Sequence, residues 1–240
     1  MSNQPFKDKV VFITGGTSGL GLATTKLFLS SSAHVFCVDI HPRSILTTLP
    51  SPNLTFHNCD VSSPTSCETA VSACIDRFSR IDILFSCAGI LAPVATVVDL
   101  SISDFQNTIN TNLCAAFYLC KAAIPHMKAQ GGGSIVTVAS TSGLFGDYGF
   151  CAYNASKAGL INLTRSIALD HARDGIRANV ICPGSMRTPM AGKIGEGEPG
   201  KEFLERVPAG RVCDPEEVAK AVLFLVGEES SYMTGTSELI

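Results

Sequence analysis

The chain has few charged residues and no excess of basic ones. Only 16% of its 240 residues are charged, and 18 Lys and Arg stand against 21 Asp and Glu, which gives a net charge of −3. A protein that binds nucleic acid or an anionic membrane surface concentrates basic side chains on one face. No basic stripe runs along this sequence, so we expect neither partner and predict a small-molecule ligand.

Long hydrophobic runs are also missing. No window approaches the ~18 consecutive apolar residues that a membrane-spanning helix requires. The apolar run near the N-terminus, VVFIT, is short and ends in glycines, whereas a secretory leader continues through a longer apolar segment to a cleavage site. We therefore expect a chain that is neither secreted nor anchored in a membrane.

Cysteine is abundant, with ten residues, but the patterns that give it a special role are absent. There is no CxxC pair and no Cys and His spacing typical of zinc sites, so no metal is predicted. Most of the cysteines lie in apolar runs such as HVFCVD and NVICPG, where a free thiol packs as a small hydrophobe. This usage favours a reducing compartment, and we expect the protein to be cytoplasmic.

Hydrophobic residues make up 45% of the chain and fall in short apolar runs that alternate with helical patterns. Buried, β-branched runs between helices are typical of a parallel sheet covered on both faces. Nothing in the sequence resembles a linker, and 240 residues fit one large domain. We predict a single α/β domain over 1–240, a doubly wound parallel sheet with helices on both faces.

A glycine-rich turn, TGGTSGLG (14–21), follows the first predicted strand and leads directly into a helix. Glycines allow the backbone to turn tightly and to approach a pyrophosphate, whose charge sits against the N–H groups of the helix N-terminus. This context favours a dinucleotide site over a plain turn. The residues predicted to contact the cofactor here are Gly15, Thr17, Ser18, Gly19, Leu20 and Gly21.

The second predicted strand, HVFCVD (34–39), ends in an acid about twenty residues beyond the turn. A carboxylate there can accept hydrogen bonds from both hydroxyls of the adenosine ribose, and it would repel a 2′-phosphate. Asp39 therefore indicates NAD rather than NADP as the cofactor. Arg43 is a rival phosphate partner, but behind His41 and Pro42 we interpret it as a solvated loop charge.

The segment 140–157, STSGLFGDYGFCAYNASK, carries the candidate chemistry. Tyr153 and Lys157 stand four residues apart in a helical pattern, so their side chains lie on one face, one turn apart. A cation within ~4–6 Å can lower the pKa of an acid by ~1–3 units, and we expect Lys157 to lower the pKa of Tyr153. Ser140 ends a short apolar strand, where its hydroxyl can hold a substrate oxygen. A Tyr and a Lys at this spacing, taken alone, more often form a solvated edge.

In combination, the glycine turn, Ser140 and the spacing of Tyr153 and Lys157 resemble the short-chain dehydrogenase/reductase family over nearly the whole chain. The resemblance implies a Rossmann-type fold and an oxidoreductase that interconverts a secondary alcohol and a ketone with NAD(H). Tyr153 would exchange the hydroxyl proton, Ser140 would hold that oxygen, and Lys157 would also bond the nicotinamide ribose. The position before Gly19 is Ser18, where NADP-dependent members often have Arg or Lys.

The resemblance assigns further positions. Asn112, preferred over Asn107 and Asn110, matches a catalytic asparagine at a helix irregularity, whose carbonyl holds a water behind the lysine. The family usually has Asn-Asn-Ala-Gly where this chain has Ser-Cys-Ala-Gly (86–89), so the asparagine hydrogen bonds that steady the central strands are expected to be absent. The other implied cofactor contacts are Asp60, Val61, Cys87, Ala88, Gly89, Pro183, Gly184, Met186 and Thr188.

Side chains near the predicted site suggest an apolar, ring-shaped substrate such as a terpenoid or a polyketide. The segment 188–213 is rich in Gly, Glu and Lys and is longer than a simple connection needs. We interpret it as a mobile substrate loop. The predicted substrate contacts, besides Ser140, are Leu91, Phe145, Tyr148, Phe150 and Met190.

Two other functions stay open on the sequence. An NADPH-dependent 3-oxoacyl-type ketoreductase would use the same side chains, and only Asp39 and the lack of paired basic residues oppose it. A nucleotide-binding protein with a silent site would share the fold, since fold does not fix function. Against the silent site, all four catalytic residue types are present.

We predict a homo-oligomer, a tetramer or at least a dimer. The helix after Tyr153 combines small and apolar residues in greater number than one core-facing stripe needs. These residues are Ala155, Ala158, Gly159, Leu160, Leu163 and Ile167. Sedimentation velocity at micromolar concentration should show a species larger than the 25.3 kDa monomer, and a single monomeric species would contradict the prediction.

Overall fold

The computed structural model describes residues 5–41, 45–192, 202 and 204–240. Within them, seven parallel strands form one sheet in the order β3-β2-β1-β4-β5-β6-β7. This architecture confirms the predicted Rossmann-type, doubly wound α/β fold. The strands are β1 (Val10–Thr14), β2 (His34–Asp39), β3 (Leu54–Asn58), β4 (Ile83–Ser86), β5 (Gly133–Val138), β6 (Ile176–Cys182) and β7 (Ser237–Leu239).

Helices occupy the connections between the strands in the described parts of the chain. One turn of π-helix, Asn110–Cys114, joins α4 to α5, and short 3₁₀ turns follow α7 and α8. The α-helices are α1 (Gly19–Ser30), α2 (Ile45–Thr48), α3 (Pro64–Phe78), α4 (Ile102–Ile109), α5 (Ala115–Ala129), α6 (Ser142–Phe145), α7 (Cys151–His171) and α8 (Pro215–Val226).

The sheet is buried on both faces, because successive side chains of a strand point to opposite sides. Val10 and Phe12 of β1 pack into one apolar core with α3, α5 and α7, whereas Val11 and Ile13 pack into the other core with α1 and α8. The ring of Phe12 stacks on that of Phe36 in β2, with 5.5 Å between the centroids. Two covered faces explain why the strands are continuously apolar rather than alternating.

Two helices begin with the capping contacts that their sequences indicate. Ser63 accepts a hydrogen bond from the backbone N–H of Ser66 at 3.3 Å, and Pro64 occupies the first position of α3. The backbone N–H of Asp214 donates to Oε2 of Glu217 at 3.0 Å at the start of α8. Local sequence, and not only packing, therefore determines where these helices begin.

Two strands are shorter than their sequence patterns indicate. The apolar runs 54–61 and 81–89 predict strands of that length, but the strands cover Leu54–Asn58 and Ile83–Ser86. The end of β3 is level with the end of β2, at Asp39, whereas β4 ends opposite Thr137 and β5 continues for one further residue. The residues beyond each strand leave the sheet at its carboxyl edge, where they become available to a ligand.

The strand order reverses between β1 and β4. The chain runs outward from β1 to β2 and β3, returns to the centre at β4, and then runs outward through β5, β6 and β7. In such a sheet the helices after the two central strands lie on opposite faces, and a crevice opens at the carboxyl ends of the strands. The glycine turn, Asp39 and Ser140 all follow strand ends, so this topology brings them to one edge.

Candidate active site

A cavity of about 680 Å³ opens at the carboxyl edge of the sheet, a volume in the range of small-molecule sites. The ends of strands β1 to β6 all contribute to its wall. The predicted site residues that line it are Gly15, Ser18, Gly19, Leu20, Gly21, Asp39, Asp60, Val61, Cys87, Ala88, Gly89, Leu91, Ser140, Tyr153, Lys157, Pro183, Gly184, Met186, Thr188 and Met190.

Five predicted site residues lie outside this lining. Thr17 and Asn112 are buried behind the cavity wall. Phe145 and Tyr148 are 76% and 101% exposed, and Phe150 is half-buried immediately before α7. The structure does not bring these three aromatic side chains into the cavity, because the end of α6 and the loop from α6 to α7 carry them away from its wall.

The glycine turn is packed too closely to admit a side chain at several positions, two of which line the cavity. Gly15 has a φ of 66°, in the left-handed region, and lies against the backbone of Ala88. A Cβ on Gly21 would fall 2.1 Å from the carbonyl oxygen of Gly15. The N-terminus of α1 therefore reaches the cavity wall with backbone alone, and this cradle fits the pyrophosphate of a dinucleotide.

Asp39 ends β2 at the cavity wall, and one of its oxygens is held from behind. Thr17 donates its hydroxyl to Oδ2 at 2.6 Å and its backbone N–H to the same atom at 3.4 Å. Among the described residues, Oδ1 has one long contact, 3.5 Å, from the backbone N–H of His41, and a carboxylate oxygen so placed can accept further hydrogen bonds from a ligand. Thr17 thus orients the carboxylate instead of lining the cavity. Arg43 lies outside the described residues.

Tyr153 and Lys157 project from the same face of α7, as their spacing predicts. Nζ of Lys157 lies 5.4 Å from the centre of the Tyr153 ring and donates a hydrogen bond to the carbonyl of Val138 at 2.7 Å. Lys157 is only 4% exposed, and burial lowers its pKa to about 8. The hydrogen bond ties α7 to the end of β5, two residues before Ser140.

Burial raises the pKa of Tyr153, while the hydroxyl of Ser140 lowers it. The carboxylate of Asp147 and the thiol of Cys87 add to the rise in that pKa. The net direction is opposite to the sequence expectation that Lys157 lowers the pKa of the tyrosine. The reason is geometric, because the ammonium faces the ring and gives its hydrogen bond to a backbone carbonyl.

Asn112 lies in the π turn Asn110–Cys114, which confirms the helix irregularity that the family resemblance implies. Its side-chain oxygen accepts from the N–H of Ile90 at 2.8 Å. Its Nδ2 donates to the carbonyl of Ile90 at 2.9 Å and to the hydroxyl of Ser156 at 3.1 Å. The amide thereby joins the chain after β4 to α7, next to Lys157. The water assigned to its backbone carbonyl remains a prediction.

The end of β4 is steadied without the asparagines that the family usually has there. Oγ1 of Thr14, at the end of β1, accepts the backbone N–H groups of Cys87 and Ala88 at 2.9 and 3.0 Å. The asparagine hydrogen bonds of the family are absent, as expected, but this end of the strand does not lack side-chain support. A buried hydroxyl on the adjacent strand supplies the acceptor.

Comparisons with known proteins agree with this geometry. A family model described as enoyl-(acyl carrier protein) reductase matches residues 15–240. A 3-oxoacyl-acyl-carrier-protein reductase of Thermotoga maritima is 37% identical over 95% of this chain and 94% of its own length. A cyclohexanol dehydrogenase of an Acinetobacter strain is 33% identical over 100% of this chain and 96% of its own. The solved structure of levodione reductase superposes with a TM-score of 0.92 at 32% identity, covering 98% and 96% of the two chains.

The chain belongs to the short-chain dehydrogenase/reductase family. It is therefore an oxidoreductase, and members of the short-chain dehydrogenase/reductase family use nicotinamide cofactors. The geometry of the site fits such a nucleotide, since the glycine turn exposes backbone to a pyrophosphate and the Oδ1 atom of Asp39 can accept hydrogen bonds while Oδ2 is held by Thr17.

The segment after β6 leads into the predicted substrate loop of this short-chain dehydrogenase/reductase, 188–213. Its base is closed by a hydrogen bond of 2.8 Å from the N–H of Arg187 to the carbonyl of Cys213. Residues 193–201 and 203 lie outside the described residues. The mobility assigned to the loop therefore stays a prediction.

Sequence reasoning missed part of the cavity wall. Each missed residue lies within two positions of a predicted one. Most of them lie where an observed strand ends, because the carboxyl end of a strand presents its last residues together, whereas Thr111, in the π turn, and Pro189, beside Thr188, have no strand-end signal. The missed residues are Ile40, His41, Cys59, Ile90, Thr111, Val138, Ala139 and Pro189.

In the part of the chain that the structure describes, no three His, Cys, Asp or Glu side chains come together as a metal site. None of the helices found there is long and apolar enough to cross a membrane. All ten cysteines are free thiols. Burial raises the pKa of Cys37, Cys74, Cys87 and Cys120 to about 12, so these thiols are neutral at physiological pH.

We predict that the contribution of Lys157 to the free energy of unfolding grows as the pH rises from 8 to 10.5. The folded pKa, about 8, lies below the ordinary lysine value of 10.5, so in this window the unfolded chain binds a proton at Lys157 that the folded chain does not. The buried thiols with raised pKa act in the opposite direction, so the gain is measured as the difference between the parent and a variant without this lysine. The full gain is roughly 3 kcal/mol.

Urea titrations at stepped pH measure this gain. Lys157→Met should lose it, whereas Lys26→Met, which removes an exposed lysine of α1, should keep it. If the stabilities of the parent and Lys157→Met change in parallel between pH 8 and 10.5, the buried ammonium does not have the assigned pKa.

Proposed function

We propose that this protein is an NAD(H)-dependent oxidoreductase that interconverts a secondary alcohol and the matching ketone. The observation that carries the proposal is the meeting of Ser140, Tyr153 and Lys157 in one cavity with Asp39. Proton exchange at an alcohol oxygen requires an acid–base group, and a hydrogen-bond donor aimed at that oxygen stabilises the charge that develops on it.

Tyr153 is the proposed acid–base group. In the direction of oxidation its phenolate accepts the proton of the substrate hydroxyl, and in reduction its phenol returns that proton. Ser140 donates a hydrogen bond to the same substrate oxygen. Because burial favours the phenol in the ligand-free protein, oxidation is expected to be faster at alkaline pH.

When bound, the nicotinamide nucleotide would accept hydride from the alcohol carbon or donate hydride to the ketone carbon. Asp39 would accept hydrogen bonds from the adenosine ribose, and the N-terminus of α1 would hold the pyrophosphate. Lys157 would donate a hydrogen bond to the nicotinamide ribose. Thr188 would form a hydrogen bond with the carboxamide of the nicotinamide ring. Asn112 would anchor a water behind Lys157, so that protons can be exchanged with solvent.

The proposed substrate is apolar and cyclic. Leu91 and Met190 contribute apolar surface to the cavity wall and are 41% and 48% exposed, so both are available to a ligand. A relative that is 33% identical over the whole of this chain is named for its action on cyclohexanol, a cyclic secondary alcohol. Screening cyclic secondary alcohols and ketones by the absorbance of NADH tests this class.

A second candidate is an NADPH-dependent 3-oxoacyl-type ketoreductase. It is favoured by the 37% identical relative, whose name specifies a 3-oxoacyl thioester of acyl carrier protein. The same four catalytic residues would serve it, so the choice of nucleotide separates the candidates.

The proposal further includes a cytoplasmic homo-oligomer with no nucleic-acid or membrane partner.

We predict that Tyr153→Phe lowers turnover by about 100-fold or more, the usual contribution of a positioned acid–base group, while NAD still binds. The change removes the ionisable hydroxyl and keeps the ring. Tyr232→Phe is the matched control, since Tyr232 is fully exposed, and it should leave turnover unchanged. Steady-state kinetics with nucleotide binding by fluorescence measure both effects. Turnover of Tyr153→Phe within tenfold of the parent would sink the mechanism.

We predict at least a tenfold preference for NAD over NADP, worth ~1.4 kcal/mol. A 2′-phosphate would lose the hydrogen bonds to Asp39 and face it as a like charge. Asp39→Ser with Ile40→Arg should narrow or invert the preference, because Ile40 is half-exposed at the cavity wall and a guanidinium there can meet the phosphate.

The measurement is kcat/KM for both nucleotides in the parent and the double variant. Asp76→Ser, which removes an exposed carboxylate of α3, is the control and should not alter the ratio. A parent that prefers NADP, or a double variant with the parent's ratio, would move the ketoreductase candidate ahead.

A further inference from the structure

Three side chains form a hydrogen-bonded chain that reaches Ser140 from the loop between α6 and α7. The carboxylate of Asp147 accepts a hydrogen bond from the hydroxyl of Ser142. That hydroxyl accepts a hydrogen bond from the hydroxyl of Ser140 at 3.2 Å, and the N–H of Ser142 donates to the Ser140 oxygen at 3.2 Å. Because the proton of Ser142 is engaged by a carboxylate, the proton of Ser140 points toward Ser142.

The loop that carries Asp147 is fastened on both sides. Asn154, next to Tyr153 on α7, donates from Nδ2 to the carbonyl of Asp147 at 2.9 Å. Two residues later, the carbonyl of Gly149 accepts the N–H of Ala95 at 2.9 Å. The carboxylate is exposed to solvent, but its backbone is held in register with the helix that bears the tyrosine.

The direction of the Ser140 proton bears on the ionisation of Tyr153. A hydroxyl that donates to a phenolate stabilises it, and Ser140 has a single proton to donate. Ser142 therefore competes with Tyr153 for that proton. Burial raises the pKa of Tyr153. A hydrogen bond from the Ser140 hydroxyl lowers that pKa and the charge of Asp147 raises it, so the group to which Ser140 donates decides how far the lowering is realised.

We propose that Asp147, acting through Ser142, is a positioning residue that withholds the Ser140 proton from Tyr153 in the ligand-free protein and so keeps the tyrosine protonated. The inference rests on the proposed function, in which Tyr153 is the acid–base group. Removing either the carboxylate or the Ser142 hydroxyl frees the Ser140 proton. Either change should move the ionisation of Tyr153 to lower pH.

Two other titratable side chains face Tyr153 in the described structure. The thiol of Cys87 also raises the pKa of Tyr153, but neither side chain belongs to the hydrogen-bonded chain that reaches Ser140. Lys157, on the same helix, is a cation when charged and gives its hydrogen bond to Val138. Cys87, after β4, has a pKa that burial raises to about 12, so it carries charge only in strongly alkaline solution. Asp147 is the carboxylate whose charge acts on the tyrosine.

Tyr153 can be titrated directly, with neither nucleotide nor substrate present. The ultraviolet absorbance of tyrosinate is measured in each protein and in the same protein with Tyr153→Phe, and the difference is the ionisation curve of this one residue. We expect a lower midpoint in Asp147→Asn and in Ser142→Ala, and the parent's midpoint in Asp147→Glu. Asp170→Asn, which removes an exposed carboxylate near the C-terminus of α7, should also keep the parent's midpoint.

Two further results are expected if Asp147 and Ser142 act through the same hydrogen-bonded chain to Ser140. The double variant Ser142→Ala with Asp147→Asn should shift the midpoint no further than the larger single change, since both act on one proton. The rate of alcohol oxidation rises with pH to a plateau, and each protein's rate is divided by its own plateau rate. At a pH below the plateau, this normalised rate should be about twofold or more higher in Asp147→Asn than in the parent.

Unmoved midpoints in Asp147→Asn and Ser142→Ala would overturn the inference, even if kcat or KM changed, because a merely structural loop predicts that result. If Asp147→Asn fails to fold, the midpoint of Ser142→Ala decides alone. Shifted midpoints in a protein that oxidises no alcohol would leave Asp147 in its role and reject the proposed function.

Discussion

The rest of the site depends on the hydroxyl of Thr14. It accepts two backbone N–H groups, from Cys87 and Ala88, and so joins the ends of β1 and β4 where the strand order reverses. A buried N–H without a partner costs free energy, and here one side-chain oxygen satisfies two of them. The glycine turn on one side of the crevice and the chain after β4 on the other are thereby held at a fixed separation.

Several active-site side chains also hold the fold together. Lys157 ties α7 to the end of β5 through Val138, and Asn112 ties the same helix to the chain after β4 through Ser156 and Ile90. Substituting these residues would change both packing and chemistry. Kinetic effects at these positions therefore have to be read together with measurements of stability.

The sequence predicts those features of the fold that depend on short-range patterns. Apolar runs such as VVFIT and HVFCVD identified strands, and capping residues such as Ser63 identified where helices begin. Motif spacing predicted Asp39 and Ser140 at strand ends and Tyr153 and Lys157 on one face of a helix, and the four residues line one cavity.

Features that depend on tertiary neighbours could not be predicted in this way. The direction of the pKa of Tyr153 depends on burial and on Asp147, and the role of Thr17 depends on its contact with Asp39. The outward path of the loop that bears Tyr148 has no signature in its residue types.

In the π turn Asn110–Cys114, the number of residues matters as well as their identity. A π turn contains about one residue more than a turn of α-helix, so deleting a single residue there would allow α4 and α5 to continue as one regular helix and would move Asn112 away from Ile90. The number of residues in this turn is therefore as much a part of the site as any side chain.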